Sequence, residues 1–101
     1  MGQRTQLHDL LKDLLGSSNV YFQPPANVHL SYPCIIYTRD RTSTTFADGN
    51  PYRRTKKYQI IVIDQNPDSE IPDKIGALPM CVHDRFYASD SLNHDVFTLF
   101  F

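Results

Sequence analysis

Residues 56–64, KKYQIIVID, contain the most apolar run of the chain and indicate where its core must form. Ile60, Ile61, Val62 and Ile63 are consecutive, and β-branched side chains favour a pleated strand over a helix. Because consecutive strand residues point to opposite faces of a sheet, this run predicts a central strand that is covered on both faces. On this interpretation, Ile61→Asp is expected to unfold the domain, since it would bury an unpaired charge.

Length and composition are typical of one globular domain. The chain has 101 residues, of which 41% are hydrophobic, and no apolar run approaches the roughly 20 residues of a membrane-spanning helix. We therefore expect a single domain over residues 1–101, without a signal peptide or a contact with membrane. Cys34 and Cys81 lie in apolar surroundings, so both are expected to be reduced, buried and structural.

Two segments have the spacing of amphipathic helices. The first begins after Thr5, a good N-cap residue, and ends at Gly16. Its apolar stripe follows the pattern i, i+3, i+4, i+7 and i+8 and consists of Leu7, Leu10, Leu11, Leu14 and Leu15. The second is a short helix that begins near residues 68–69 and carries Ile71, Ile75 and Leu78 on one side.

The remaining apolar runs predict strands around these helices. Beside the central strand at residues 53–64, we expect strands at residues 20–22, 28–32, 34–39, 80–87 and 96–101, of which 28–32 is a weak edge strand. The order α-β-β-β-β-α-β-β predicts an α+β fold. The expected architecture is a single, mainly antiparallel sheet, with some parallel pairing possible, on which two helices pack.

Charge is segregated along the chain. Residues 39–57 hold six basic and two acidic side chains, a net charge of +4, whereas residues 64–95 hold two basic and seven acidic ones, a net charge of −5. Complementary flanks of this kind suit head-to-tail contacts between identical copies. A solvated surface of mixed charge is the alternative interpretation, and the sequence leaves it open.

A long polar loop separates two of the predicted strands. Residues 40–51, DRTSTTFADGNP, exceed the usual length of a hairpin loop, and long loops in compact domains are often functional. Phe46 within it is expected to dock either on the core of its own domain or, preferably, on a neighbour. The candidate subunit-interface or lumen residues are Arg41, Phe46, Arg53, Arg54, Lys56, Asp68, Glu70 and Asp73.

Enzymatic and metal-binding motifs are not apparent in the sequence. His83 and His94 each precede an aspartate, but adjacent strand residues point to opposite faces, so neither dipeptide is a catalytic dyad by itself. There is no zinc-ligand spacing, P-loop, Rossmann glycine pattern or nucleophile elbow. We expect no catalytic residue, no metal and no cofactor. The basic and aromatic residues 52–58 are compatible with a non-specific contact with DNA, although the net charge of −1 argues against an independent nucleic-acid binder.

Several stretches of the sequence together resemble one family of phage proteins. They are residues 7–25 (LHDLLKDLLGSSNVYFQPP), 32–37 (YPCIIY), 58–75 (YQIIVIDQNPDSEIPDKI), 78–81 (LPMC) and 84–101 (DRFYASDSLNHDVFTLFF). The chain resembles the short tail-completion, or tail-terminator-like, proteins of long-tailed, siphovirus-type bacteriophages. The resemblance covers nearly the whole chain except residues 40–56.

This resemblance implies a structural role in the virion. Members of the family form a ring, usually of six subunits, at the head-proximal end of the tail tube, where the ring ends tube assembly and joins the tail to the head connector. The implied partners are further copies of the chain, the tube protein and the connector or stopper protein. A non-specific contact with genomic DNA in the lumen is compatible with the basic residues noted above. The implied location is the phage neck, after assembly in the host cytoplasm. Another connector component, a stopper or an adaptor, is the alternative.

Overall fold

The computed structural model describes residues 3–40 and 56–101 of the chain. Its elements are α1 (Gln3–Leu15), β1 (Val20–Phe22), β2 (Cys34–Arg39), β3 (Lys57–Asp64), α2 (Ile71–Gly76), β4 (Cys81–Ser89) and β5 (Leu92–Phe100). The five strands form one sheet in the order β1-β2-β3-β5-β4. The predicted α+β class, with a single mixed sheet and two helices, is confirmed. Neither described helix has the length and apolar character needed to cross a membrane.

The apolar run chosen from the sequence is the central strand of the sheet. β3 pairs antiparallel with β2 on one side and with β5 on the other, and β5 pairs antiparallel with β4. Of the strands that the structure describes, only the short β1 runs parallel to its neighbour, β2. One row of paired residues crosses all five strands and consists of Phe22, Tyr37, Ile60, Phe97 and His83.

Both helices pack on the same face of the sheet, which we call the helix face. Its buried residues are Val20, Ile35, Tyr37, Tyr58, Ile60, Val62, Phe97 and Leu99, and they form one cluster with Leu7, Leu11 and Ile75 of the helices. Leu7 and Leu11 are fully buried, as the leucine stripe of α1 predicts. The amphipathic helices therefore provide the cover that the apolar side of the sheet requires.

The expected cover on both faces of β3 is present only in part. Within residues 3–40 and 56–101, no helix packs on the opposite face, where Ile36 and Ile61 remain partly exposed. Ile63 and Val96 are nevertheless buried there. A continuous β-branched run marks a strand with neighbours on both sides, and it does not by itself show that helices cover both faces.

Four predicted elements need correction. α1 begins at Gln3, so Thr5 lies inside the helix and is not its N-cap. Residues 28–31 have no regular secondary structure, so the weak edge strand is absent and the described chain has three strands between its helices. The Val28 N–H donates instead to the Pro25 carbonyl at 3.1 Å, which closes a turn. The second helix begins at Ile71, after the turn residues, and the last strand already begins at Leu92.

A polar contact attaches α1 to the sheet. The side chain of Tyr37 is fully buried, and its hydroxyl oxygen lies 2.8 Å from Nδ1 of His8. Nδ1 accepts the hydroxyl proton when the imidazole is neutral. Burial lowers the pKa of His8, and the positive charges of Lys12 and Arg4 lower it further, whereas Asp9 acts in the opposite direction. The fold therefore favours neutral His8.

We expect the free energy of unfolding to increase with pH through the range in which free histidine titrates. A histidine with a lowered pKa binds a proton more readily in the unfolded chain, so its contribution is complete above the ordinary value of 6.5 and decreases below it. Urea unfolding of wild type and His8→Gln at a series of pH values measures this effect, and the variant should show the smaller slope. His29→Gln, at an exposed position, is the matched control, and an equal slope in wild type and His8→Gln would contradict the prediction.

Candidate functional site

The structure separates the described candidate residues into two groups at opposite ends of β3. Lys56 lies just before the start of this strand, whereas Asp68 and Asp73 follow its end. Seven residue steps at about 3.3 Å each place Lys57 and Asp64 roughly 23 Å apart. The predicted interface residues Arg41, Phe46, Arg53 and Arg54 lie outside the described residues.

The turn after β3 is held by its own polar side chains. Oδ1 of Asp64 accepts from the Asn66 N–H at 3.0 Å, and Oδ1 of Asn66 accepts from the Asp68 N–H at 3.0 Å. Oγ of Ser69 then accepts from the Ile71 N–H at 3.3 Å, close to the start of α2. Asparagine, aspartate and serine favour such local bonds, which explains why this segment leaves the strand and folds over the helix face.

An open cleft of about 410 Å³ lies between this turn, α2 and the ends of β4 and β5. We call it the acidic cleft, because it is lined by Asp64, Asp68, Asp73 and Asp95 together with Asn66, Pro67, Ser69, Pro72, Phe86 and Asn93. Among the described residues, this lining includes four carboxylates and no basic side chain. Such a concave, negatively charged surface favours a cationic group from a partner.

Two of the four carboxylates were not among the predicted interface residues. Asp64 closes the central strand, and Asp95 reaches the cleft because its backbone pairs with Val62 across β3 and β5. The position of Asp64 directly after the apolar run could have indicated that it lies at the end of the central strand. The sequence did not reveal the strand pairing that places Asp95. Glu70 is exposed and occupies the N-cap position of α2, and it is not among the residues that line the cleft.

The basic end of the described chain is formed by Arg39, Lys56 and Lys57. Lys56 is fixed through its backbone, which exchanges two hydrogen bonds of 3.0 Å with Phe101. Nζ of Lys57 lies 3.7 Å from Oδ2 of Asp40, and Arg39 is exposed. Three cations against one carboxylate leave a net charge of +2 on this end.

His83 and His94, the two histidines considered as catalytic candidates, lie on opposite faces of the sheet. Nε2 of His83 is 3.0 Å from Oδ1 of Asp95, a cross-strand pair on the helix face. His94 stacks on Tyr87 with ring centroids 4.6 Å apart. As expected, neither histidine pairs with the aspartate that follows it in sequence. Asp95 orients the His83 ring, and no activity follows from that contact alone.

The described side chains do not group into a metal site. Within the described part of the chain, no three histidine, cysteine, aspartate or glutamate side chains are arranged to hold a metal ion. Both cysteines are free, with Cys34 buried and Cys81 half-buried. Burial, together with the charge of Asp64, raises the pKa of Cys34 to about 11, so its thiol stays protonated at neutral pH.

Comparisons with known proteins give no match to a family model, a curated protein or a solved structure.

Proposed function

We propose that the chain is a structural protein of a phage virion. In this proposal, it forms a ring, with six subunits as the expected number, at the head-proximal end of the tail tube, where it ends tube assembly and joins the tail to the head connector. The sequence resemblance suggests this role. The structural observation that supports it is the placement of opposite charges at opposite ends of the central strand.

A ring of identical subunits needs an interface formed by two unlike surfaces. The acidic cleft and the basic end are unlike in charge, and the length of β3 separates them by roughly 23 Å. A single subunit therefore cannot join its own described charges, whereas the basic end of one copy can approach the acidic cleft of the next. Opposite charges at such a contact guide the subunits into register.

Electrostatic contacts between exposed groups weaken as salt concentration increases, because the Debye length is only about 8 Å at physiological ionic strength. Asp68 and Asp73 are exposed, as is Arg39. We therefore expect ring formation to be favoured by low salt. A purely apolar interface would depend little on salt, or would become stronger as the salt concentration increases.

The proposal predicts that the purified protein binds to one end of isolated tail tubes. Mass photometry should detect a ring, with six copies as the expected number, and negative-stain images should show density at the end of the tube that faces the head. Tubes grown in the presence of the protein should stop elongating. A protein that stays monomeric at low salt and leaves tube ends bare would contradict the proposal. Cross-links in the virion to the portal side and none to the tube would indicate a stopper or adaptor instead.

A further inference from the structure

β4 is an edge strand with an unusual degree of exposure. Every residue of β4 except Cys81 is exposed, although the strand is nine residues long. Among the described residues, five large hydrophobic side chains are exposed, and four belong to β4 or precede it directly: Met80, Val82, Phe86 and Tyr87. Long, partly apolar edges are surfaces to which a further strand can add.

The other edge of the sheet lacks this capacity. β1 has three residues, and Pro24 and Pro25 follow it closely. Proline has no N–H to donate to a new ladder. Extension of the sheet is therefore possible at β4 and is limited at β1.

The register of the hairpin shows which β4 backbone groups have no partner among the described strands. A two-residue turn, Asp90 and Ser91 with positive φ, joins β4 to β5, and the Phe100 N–H donates to the Met80 carbonyl at 3.1 Å. Because hydrogen-bonded and non-hydrogen-bonded pairs alternate in an antiparallel ladder, every second residue points its backbone groups away from β5. These outward residues are Cys81, His83, Phe86 and Ala88.

A bulge divides β4 into two halves. The register shifts between His83 and Arg85, so the side chains on the helix face have odd numbers before the shift and even numbers after it. Cys81 and His83 share the helix face with Phe86 and Ala88. Val82 shares the opposite face with Arg85 and Tyr87.

This division makes the strand complementary to itself. If two copies meet antiparallel about a two-fold axis between Asp84 and Arg85, the first half of each strand lies beside the second half of the other. The resulting opposite pairs are Cys81 with Ala88, Val82 with Tyr87, His83 with Phe86, and Asp84 with Arg85. Outward backbone groups then face each other on both sides of the axis, helix-face side chains meet helix-face side chains, and opposite charges meet at the centre.

Other registers lose these matches. A shift of one residue places helix-face side chains opposite side chains of the other face. A shift of two residues removes the Asp84–Arg85 pairing. A bulge commonly hinders strand addition at an edge, but here it lies on the two-fold axis and interrupts the new ladder only at its centre.

We infer that a second copy of this chain pairs with β4 in this antiparallel register, which joins two five-stranded sheets into one of ten strands. The contact is isologous and uses the lateral edge of the sheet, whereas the proposed ring contact joins the acidic cleft to the basic end of β3. The two contacts share Phe86, which lines the cleft, but the register of β4 is argued without the charges of either end. The inference is therefore independent of the proposed function. A dimer held by one strand buries a limited area, so its formation depends on protein concentration.

A single cysteine substitution tests the register. In the proposed dimer, position 88 lies opposite Cys81 of the second copy, and Cα atoms of such a pair are about 5.5 Å apart, within the range of a disulfide. Ala88→Cys under mild oxidation should therefore give a covalent dimer on a non-reducing gel. Wild type should not, since the two Cys81 residues of the dimer lie far apart on opposite sides of the two-fold axis. The Ala88→Cys/Cys81→Ala double variant should also stay uncrosslinked, because its two cysteines at position 88 are equally far apart. A monomeric Ala88→Cys protein, or a double variant that crosslinks as well, would overturn the register.

Charge exchange at the centre gives a second, reversible test. Asp84→Arg and Arg85→Asp should each form a dimer roughly tenfold weaker than wild type in sedimentation experiments, because like charges then face each other twice. A mixture of the two variants should recover the dimer, since each contact again joins opposite charges. Thermal melting of each variant checks that its fold is retained. If the single variants dimerise like wild type, or if the mixture stays as weak as its components, the inference is wrong.

Discussion

Ile60→Asp is expected to abolish the cooperative unfolding transition of the domain. Ile60 is fully buried in the central strand, between Tyr37 of β2 and Phe97 of β5 in the paired row. An unpaired carboxylate at this position costs several kcal/mol, whereas a domain of this size has a total stability of about 5–15 kcal/mol. Circular dichroism during heating should show a broad change without a melting step, and size-exclusion chromatography should show an expanded or aggregated chain.

Ile61→Asp is the matched control for this prediction. It places the same carboxylate on the same strand, one residue further along, but on the opposite face, where Ile61 is partly exposed. A partly solvated charge costs less, so Ile61→Asp should be destabilised and still melt cooperatively. This expectation replaces the one drawn from the sequence, which treated both faces as covered. Cooperative melting of Ile60→Asp close to wild type would show that the helix face is not the main core.

The elements with strong local patterns were predicted well from the sequence. The leucine stripe of α1 predicted that Leu7 and Leu11 are buried, because a helical period fixes which side chains share a face. The β-branched run predicted β3, which lies at the centre of the sheet. In both cases, the information lies in residues close together in the chain.

Features that depend on strand order could not be predicted in the same way. The apolar runs predicted a strand at residues 80–87, but they did not show that β4 lies at the edge of the sheet and stays exposed on both faces. Likewise, Asp95 follows His94 in the sequence, which gives no indication of its surroundings. The pairing of β5 with β3 and β4 brings Asp95 to the acidic cleft and to His83. Local composition predicts an element, whereas its neighbours in the sheet follow from packing of the whole chain.

Charge reversal in the acidic cleft is expected to prevent ring formation without unfolding the subunit. Asp68 and Asp73 are exposed, and within the described residues neither carboxylate takes part in a hydrogen bond or salt bridge. Asp64 is excluded from the design because its side chain holds the turn. Asp68→Lys/Asp73→Lys changes the charge of the cleft lining from −4 to 0, since two carboxylates become two ammonium groups.

The loss of attraction between neighbours should weaken each ring contact by roughly a hundredfold, because the cleft no longer carries net negative charge and its two new lysines face the basic end of the neighbour. Asp9→Lys/Asp13→Lys makes the same change in net charge at exposed positions of α1 and is the matched control. Mass photometry at low salt should show monomers for the cleft variant and rings for the control, with similar melting temperatures for both. Because a general effect of net charge would act on both variants alike, rings in both, or in neither, would contradict a role of the acidic cleft in joining subunits.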